Sequence, residues 1–239
     1  MRKLPQRGAS VYPAVVDRIV DNPWPVDATG EGRPEDALRA EIISGRLQPN
    51  ERLVEADLTR RLGVGRSAVR VALARLEHEG LVELEPHRGA RVRLIALPEA
   101  VEIIEARAVL EGLVVRRAAD RATTEDVAQL RAILARMREL LASGDLLAVS
   151  DRNASLHRKL IEISGHGTAS RLISALRSQL VRFEYRTILL PGRSQRSLAE
   201  HTKIVDAIAA GDPEAAEAAM RTHLSHVADA LRRQEAAQS

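Results

Sequence analysis

Three histidines in the C-terminal half of the sequence each lie within an apolar stripe of a different predicted helix: His157, His201 and His223. Asn153 precedes His157 by four residues, so the two side chains share one helical face. Imidazole nitrogens with an oxygen donor suit zinc, nickel, iron or manganese, and helical bundles build metal sites from facing helices. A single buried histidine is usually a hydrogen-bonded core residue, so a metal site and three core histidines are both open interpretations.

An arginine falls on the apolar face of the first helix of the same region. Arg107 shares this face with Ile103, Leu110 and Val114, and burying a guanidinium without an anionic partner is costly. Glu111, one helical turn later, is a candidate partner. Arg107 is therefore either one half of an internal ion pair or a clamp for a carboxylate ligand.

A run of arginines without acidic neighbours marks a second kind of chemistry. From Leu58 to Leu76 there are five arginines and no Asp or Glu: Arg60, Arg61, Arg66, Arg70 and Arg75. A second acid-free basic run covers residues 87–93. A solvated helix face normally interleaves acids with arginines, so this segregation indicates nucleic-acid binding, with a merely basic surface as the alternative.

The elements that carry these arginines form a helix-turn-helix. Apolar spacing predicts three short helices, the last preceded by a tight glycine turn: 35–44, 54–62 and 66–79. The apolar stripe of the third helix leaves Arg66, Ser67 and Arg70 on another face, near its N-terminal end. A recognition helix offers that end to the major groove, where the planar fork of arginine matches guanine O6 and N7.

A β-hairpin with a basic tip follows the third helix. Leu81–Glu85 alternates apolar and acidic residues, and Ala90–Leu94 alternates apolar and basic ones. The turn between them carries His87, Arg88 and Gly89. Three helices and a hairpin predict a winged helix-turn-helix that binds double-stranded operator DNA.

The remainder of the chain is predicted to be an antiparallel all-α bundle. Short breaks divide it into six amphipathic helices: 98–120, 124–141, 145–164, 168–190, 193–210 and 213–238. The fold class is therefore mainly α, with the winged helix-turn-helix followed by the bundle. The predicted domains are an irregular arm with a short helix near 14–20, a DNA-binding domain and a helical effector-binding domain: 1–33, 34–95 and 96–239.

The composition of the 239 residues narrows the function classes. Cysteine is absent, which excludes disulfides, cysteine-ligated zinc, iron–sulfur clusters and cysteine nucleophiles. Aromatic residues make up only 2% of the chain, too few for a base-stacking surface. No apolar stretch is long enough to span a membrane and no secretory h-region is found, so we expect a cytoplasmic protein with no membrane partner.

Residues 42–92 resemble the DNA-binding domain of the GntR family of bacterial transcriptional regulators. The matching motifs are SGRL, LGV, R-x-x-V-R, A-L-x-R-L-E-x-E-G-L-V and the wing sequence P-H-R-G. The resemblance implies that the operator is contacted by six residues: Arg66, Ser67, Arg70, His87, Arg88 and Gly89. Three positions depart from the family's pattern, where serine, proline and a turn glycine are usual: Gly65, Ala68 and Asn50. Asparagine tolerates the positive φ of such a turn.

The bundle resembles the FCD-type effector domain of the FadR subfamily, in its six-helix VanR-like branch. The matching stretches are EARAVLEG, NASLHRKL, SLAEHTKIVDAI, GDPEAAEAAM and RTHL. The resemblance implies a divalent zinc, nickel or manganese ion held by four side chains: Asn153, His157, His201 and His223. It also implies a small organic acid at the metal, with Arg107 lining the pocket. His226 is the substitute ligand if His223 is misassigned, since the two share a helical face.

Together these features predict a ligand-responsive transcriptional regulator that acts as a homodimer and is not an enzyme. The alternative is an all-α metalloenzyme fused to a DNA-binding domain. Against it, the sequence has no HExxH motif, no second carboxylate near His157 and no nucleophile–base pair. A structural DNA-binding protein without an effector is the third possibility, and the buried polar residues of the bundle argue against it.

Overall fold

The computed structural model describes residues 33–85, 88–188 and 190–236, and it confirms the mainly α fold class. The chain divides into two compact units, the first ending at Arg93 and the second beginning at Leu94. The predicted arm, up to residue 32, and the predicted contact residue His87 lie outside the described residues.

The first unit combines three helices with a small antiparallel sheet. The helices are α1 (Pro34–Ile43), α2 (Glu55–Leu62) and α3 (Arg66–His78), and the strands are β1 (Arg52–Leu53), β2 (Val82–Glu85) and β3 (Gly89–Val92). The strand order is β1-β3-β2, so β3 pairs on both sides. Leucines from all three helices fill the core beneath the sheet, among them Leu38, Leu58 and Leu73.

Two turn residues have the positive φ that their positions require. Gly63 ends α2 with φ +67° and turns the chain towards α3. Asn50 has φ +65°, the conformation expected where it stands in place of a turn glycine.

The two-residue strand β1 was not predicted, since so short a segment shows no alternation. It constrains the wing through Gly89, which has φ +92° and lies directly against β1. A Cβ added at Gly89 would lie 2.3 Å from the carbonyl oxygen of Leu53. Only glycine fits this approach of the wing to β1.

The second unit consists of the six predicted helices, with ends that differ from the prediction by at most a few residues. They are α4 (Leu97–Arg121), α5 (Thr124–Ser143), α6 (Leu146–Ser164), α7 (Gly167–Ile188), α8 (Arg193–Ala209) and α9 (Pro213–Ala236). A reciprocal capping box between Thr123 and Asp126 begins α5.

Helix α4 runs through the middle of the second unit and packs against α6, α7, α8 and α9. The core around it is aliphatic, with Ile104, Leu156, Ile204 and Leu224 each at most 2% exposed. Within the described residues, no helix has the length and apolar character needed to cross a membrane.

Candidate metal centre and nucleic-acid interface

Three helices bring the predicted histidines together inside the second unit. His157 of α6, His201 of α8 and His223 of α9 are 2%, 0% and 4% exposed. Each offers a ring nitrogen, and these nitrogens all lie within 4.8 Å of one another. Nε2 of His201 is 3.2 Å from Nε2 of His223. We call these three residues the histidine cluster.

Buried carboxylates contact the Nδ1 atoms of two of the three rings. Nδ1 of His157 lies 2.6 Å from Oε2 of Glu111, and Nδ1 of His223 lies 2.7 Å from Oε2 of Glu200. An ionised carboxylate can only accept, so each of these Nδ1 atoms carries a proton, and in a neutral ring the lone pair is then on Nε2. Carboxylate–histidine pairs of this kind orient metal-binding imidazoles.

Each carboxylate is in turn paired with a buried arginine. Nε of Arg107 donates to Oε1 of Glu111 at 2.8 Å, and Nη1 of Arg193 donates to Oε2 of Glu200 at 3.0 Å. The internal ion pair considered for Arg107 is therefore present, and its role towards an effector stays a prediction.

The electrostatic environment keeps both carboxylates charged. Burial by itself would raise the pKa of Glu111, but Arg107 and His157 outweigh burial and hold it well below its ordinary value. Burial likewise opposes ionisation of Glu200, but the hydrogen bond from His223 and the charge of Arg193 lower its pKa to about 2.

Two of the histidines, His201 and His223, are kept neutral, which is the form that binds a metal. Burial lowers the pKa of His201 well below its ordinary value, and the neighbouring His223 and His157 add to this effect. Burial also lowers the pKa of His223 to about 4, against the opposing hydrogen bond to Glu200.

Asn153 and His226 are the other two residues considered as ligands. Asn153 is partly buried one helical turn before His157, and its ligand role stays a prediction. His226 is directed to Glu200, with Nδ1 2.8 Å from Oε1, and its side chain is 44% exposed. The buried and convergent position of His223 therefore favours it over His226 as the ligand from α9.

Sequence reasoning missed the supporting carboxylates. Glu111 of α4 was considered only as a partner of Arg107, yet it lies in direct contact with His157, 46 residues away in sequence. Glu200 immediately precedes His201 but supports His223 of the next helix. The residues present fit a resident metal ion, because three buried imidazole nitrogens converge and carboxylates orient two of the three rings.

The candidate nucleic-acid interface lies on the first turns of α3. Arg66, Ser67 and Arg70 are all exposed there, and Gly65 begins the helix without a side-chain cap. Nε of Arg70 lies 3.0 Å from Oε2 of Glu55 on α2. Arg66 has no ion pair with any other described residue, so its charge is available to an incoming phosphate or base.

The second basic run is largely neutralised within the sheet. Nε of Arg91 lies 2.8 Å from Oε1 of Glu85, and Nε of Arg93 lies 3.3 Å from Oε1 of Glu83. Arg88 is exposed at the wing tip, where its carbonyl oxygen accepts hydrogen bonds from Arg52. In the described part of the hairpin, Arg88 is therefore the arginine that keeps its charge available to an anion, and its contact with DNA stays a prediction.

Comparisons with known proteins agree with this division of the chain. The model for "Bacterial regulatory proteins, gntR family" matches residues 33–92, and that for "FCD domain" matches residues 102–226. The HTH-type transcriptional regulator LutR of Bacillus subtilis is 32% identical over 80% of this chain and 95% of its own length. The HTH-type transcriptional repressor NanR of an Enterobacter species is 32% identical over 79% of this chain and 78% of its own length. The solved structure of Escherichia coli McbR/YncC has the same fold, with a TM-score of 0.68 at 20% identity over 84% of this chain and 96% of its own.

Proposed function

The chain belongs to the GntR family of bacterial regulatory proteins and carries an FCD domain, and from this premise we propose that a small organic acid, bound at a metal site in the second unit, sets its affinity for operator DNA. The observation that carries the proposal is the histidine cluster. Three imidazoles are buried together with their supporting carboxylates, and their ring nitrogens converge closely enough to hold one metal ion.

The proposed ligands of the metal are the cluster and the amide oxygen of Asn153. The supporting residues Glu111 and Glu200 hold the rings in the tautomer that leaves Nε2 free. When bound, a divalent ion such as zinc, nickel or manganese supplies a Lewis-acidic centre for a carboxylate. Arg107 is also proposed to line the effector pocket, since it contacts Glu111, which supports His157 of the metal site.

The proposed DNA contacts are Arg66, Ser67 and Arg70 on α3 with the wing tip at His87, Arg88 and Gly89. The arginines at the start of α3 are exposed and suited to base edges. Arg88 suits a phosphate or minor-groove contact, and Gly89 allows the wing to approach β1. A regulator responds to an effector when the acid binds one conformation of the protein better than another.

A homodimer is the proposed functional form. Val109 and Leu113 lie one turn apart on α4, and Leu172 lies on α7, a helix packed against α4. These three apolar side chains are 54%, 38% and 50% exposed, as expected of a surface that a second copy covers. Two-fold symmetry gives two recognition helices for two half-sites.

Metal content and operator release test the proposal together. Wild type reconstituted with zinc, nickel or manganese should hold one ion per chain by elemental analysis, whereas His201→Ala and His223→Ala should hold none. His226→Ala is the matched control and should keep its metal. Fluorescence anisotropy with a duplex selected by the wild type should show release by organic acids from the metal-loaded wild type alone. Equal metal content in all four proteins would contradict the metal site, and operator binding unchanged by every acid would contradict the regulatory role.

A further inference from the structure

Arg193, the first residue of α8, has buried hydrogen-bond donors that no described residue accepts. The side chain of Arg193 is 5% exposed, and its Nη1 donates to Oε2 of Glu200. Its Nε and Nη2 are buried, and neither has a hydrogen-bond partner in the part of the chain that the structure describes. Buried donors are nearly always paired in proteins, so these two need an acceptor.

The two unpaired donors form one recognition edge. In a guanidinium, Nε–H and one N–H of Nη2 point the same way along one side of the planar group. This edge donates two parallel hydrogen bonds to a carboxylate, in the bidentate geometry typical of arginine. Arg107, in contrast, uses its Nε on Glu111.

The surroundings of this edge favour an anion. Helix α8 begins at Arg193 and has no acidic residue in its first turn, so the positive end of its dipole is not offset there. The single charge of Glu200 is shared among Arg193, His223 and His226. On the same helix, Nδ1 of His201 is also buried without a partner among the described residues, so a second polar atom is available to a bound molecule.

We propose that the free edge of Arg193 binds the carboxylate of the effector, which makes Arg193 the residue that recognises the effector as an acid. This inference rests on the proposed function and adds a recognition residue to it. The ligand is a small carboxylic acid, whose two carboxylate oxygens accept the hydrogen bonds from Nε and Nη2 of Arg193. A bound carboxylate satisfies both orphaned donors at once.

The experiment uses the zinc-loaded, full-length protein and three simple anions as probes: acetate, succinate and inorganic phosphate. Isothermal titration at constant ionic strength should show saturable binding of a carboxylate probe to wild type. Arg193→Gln should weaken this binding about tenfold or more, as expected when hydrogen bonds to a charged group are lost. Arg193→Lys keeps a charge beside Glu200 but has no fork, so it should also bind weakly. Arg196→Gln, an exposed position on the same helix, should match wild type.

Controls separate recognition from folding and from the metal. All variants should have the circular dichroism and zinc content of wild type. In wild type itself, the Nε–H resonance of Arg193, assigned by its loss in Arg193→Lys, should shift as the carboxylate is added. A resonance that does not move, or variants that bind the carboxylates like wild type, would overturn the inference. The same holds if none of the probes binds wild type saturably, or if phosphate alone does. Carboxylate binding at Arg193 without any change in operator affinity would instead contradict the proposed function and leave this inference intact.

Discussion

Nδ1 of His157 on α6 lies 2.6 Å from Oε2 of Glu111 on α4, and this contact decides which nitrogen of His157 faces the other two rings. The other oxygen of Glu111 accepts a hydrogen bond from Arg107. Arg107 and Glu111 therefore act on the cluster from outside it, by fixing the orientation and tautomer of His157.

Replacing the carboxylate of Glu111 should weaken the proposed metal site while leaving its ligands in place. Glu111→Gln is expected to lower metal affinity about 10–100-fold, the usual effect of removing a carboxylate that supports a metal-bound histidine. Competition with a chromophoric chelator measures the change. Glu102→Gln, at an exposed position of the same helix, is the control. Wild-type affinity in a folded Glu111→Gln would show that Glu111 has no role in metal binding.

The arginines at the start of α3 should carry sequence discrimination. Arg66→Ala and Arg70→Ala should each cost about 1–3 kcal/mol of preference for the operator over unrelated duplex. Arg88→Ala should weaken binding to both duplexes more evenly, since a phosphate contact carries little sequence information. Anisotropy titrations at one fixed salt concentration measure all three variants. Unchanged operator affinity in both helix variants would remove α3 as the reading element.

The ion pair between Arg70 and Glu55 should compete with DNA. The side chains of Arg70 and Glu55 are 70% and 28% exposed, so the ion pair contributes at most about 1 kcal/mol to the free energy of unfolding. Glu55→Gln releases Arg70 and should raise operator affinity by up to about fivefold. Asp57→Asn removes the same charge from the same helix and should raise affinity less. The increase should vanish in the double variant with Arg70→Ala, and an increase that persists there would reflect net charge alone.

The stability of the metal-free protein should fall in mildly acidic solution. Burial lowers the pKa of His223 to about 4 in the folded protein, whereas an unfolded histidine has a pKa of about 6.5. Between these values the unfolded chain binds the proton more readily, so the free energy of unfolding decreases as pH falls through this window. At about 1.4 kcal/mol per pH unit, the whole window is worth about 3 kcal/mol. Urea titrations of chelator-treated protein measure this, and His223→Asn should show a shallower decline. A free energy of unfolding that is constant across the window would contradict the buried, neutral state of His223.

A charge on the exposed apolar surface of α4 should separate the proposed dimer. Leu113→Glu brings a carboxylate into a surface that a second copy is proposed to desolvate, which is unfavourable without a partner. Sedimentation at micromolar concentration should give a monomer for Leu113→Glu and a dimer for wild type. Leu84→Glu, at an exposed strand position of the first unit, should remain dimeric. A dimeric Leu113→Glu would direct the search for the interface elsewhere.

Local signals explain how far the sequence predicts this fold. The six bundle helices were predicted because glycine and proline breaks, and the cap at Thr123, lie between stripes with helical period. Each histidine of the cluster stands within such a stripe, which left a metal site and three core histidines both open, and the family resemblance implied the set of ligands. Glu111 was assigned only to Arg107, because its contact with His157 depends on how α4 and α6 pack. Arg193 was overlooked because it follows a proline–glycine turn, where an arginine is usually solvated, and only the packing of the bundle buries it.

One oxygen of Glu200 accepts hydrogen bonds from both Arg193 and His223. This oxygen couples the proposed carboxylate site at Arg193 to the proposed metal site at His223. An anion bound to Arg193 weakens the hold of Arg193 on Glu200 and so changes how Glu200 orients the ring of His223. Reciprocity then requires that the factor by which metal strengthens acid binding equals the factor by which acid strengthens metal binding. The cell's supply of the cation would in that way set the concentration of acid to which the protein responds.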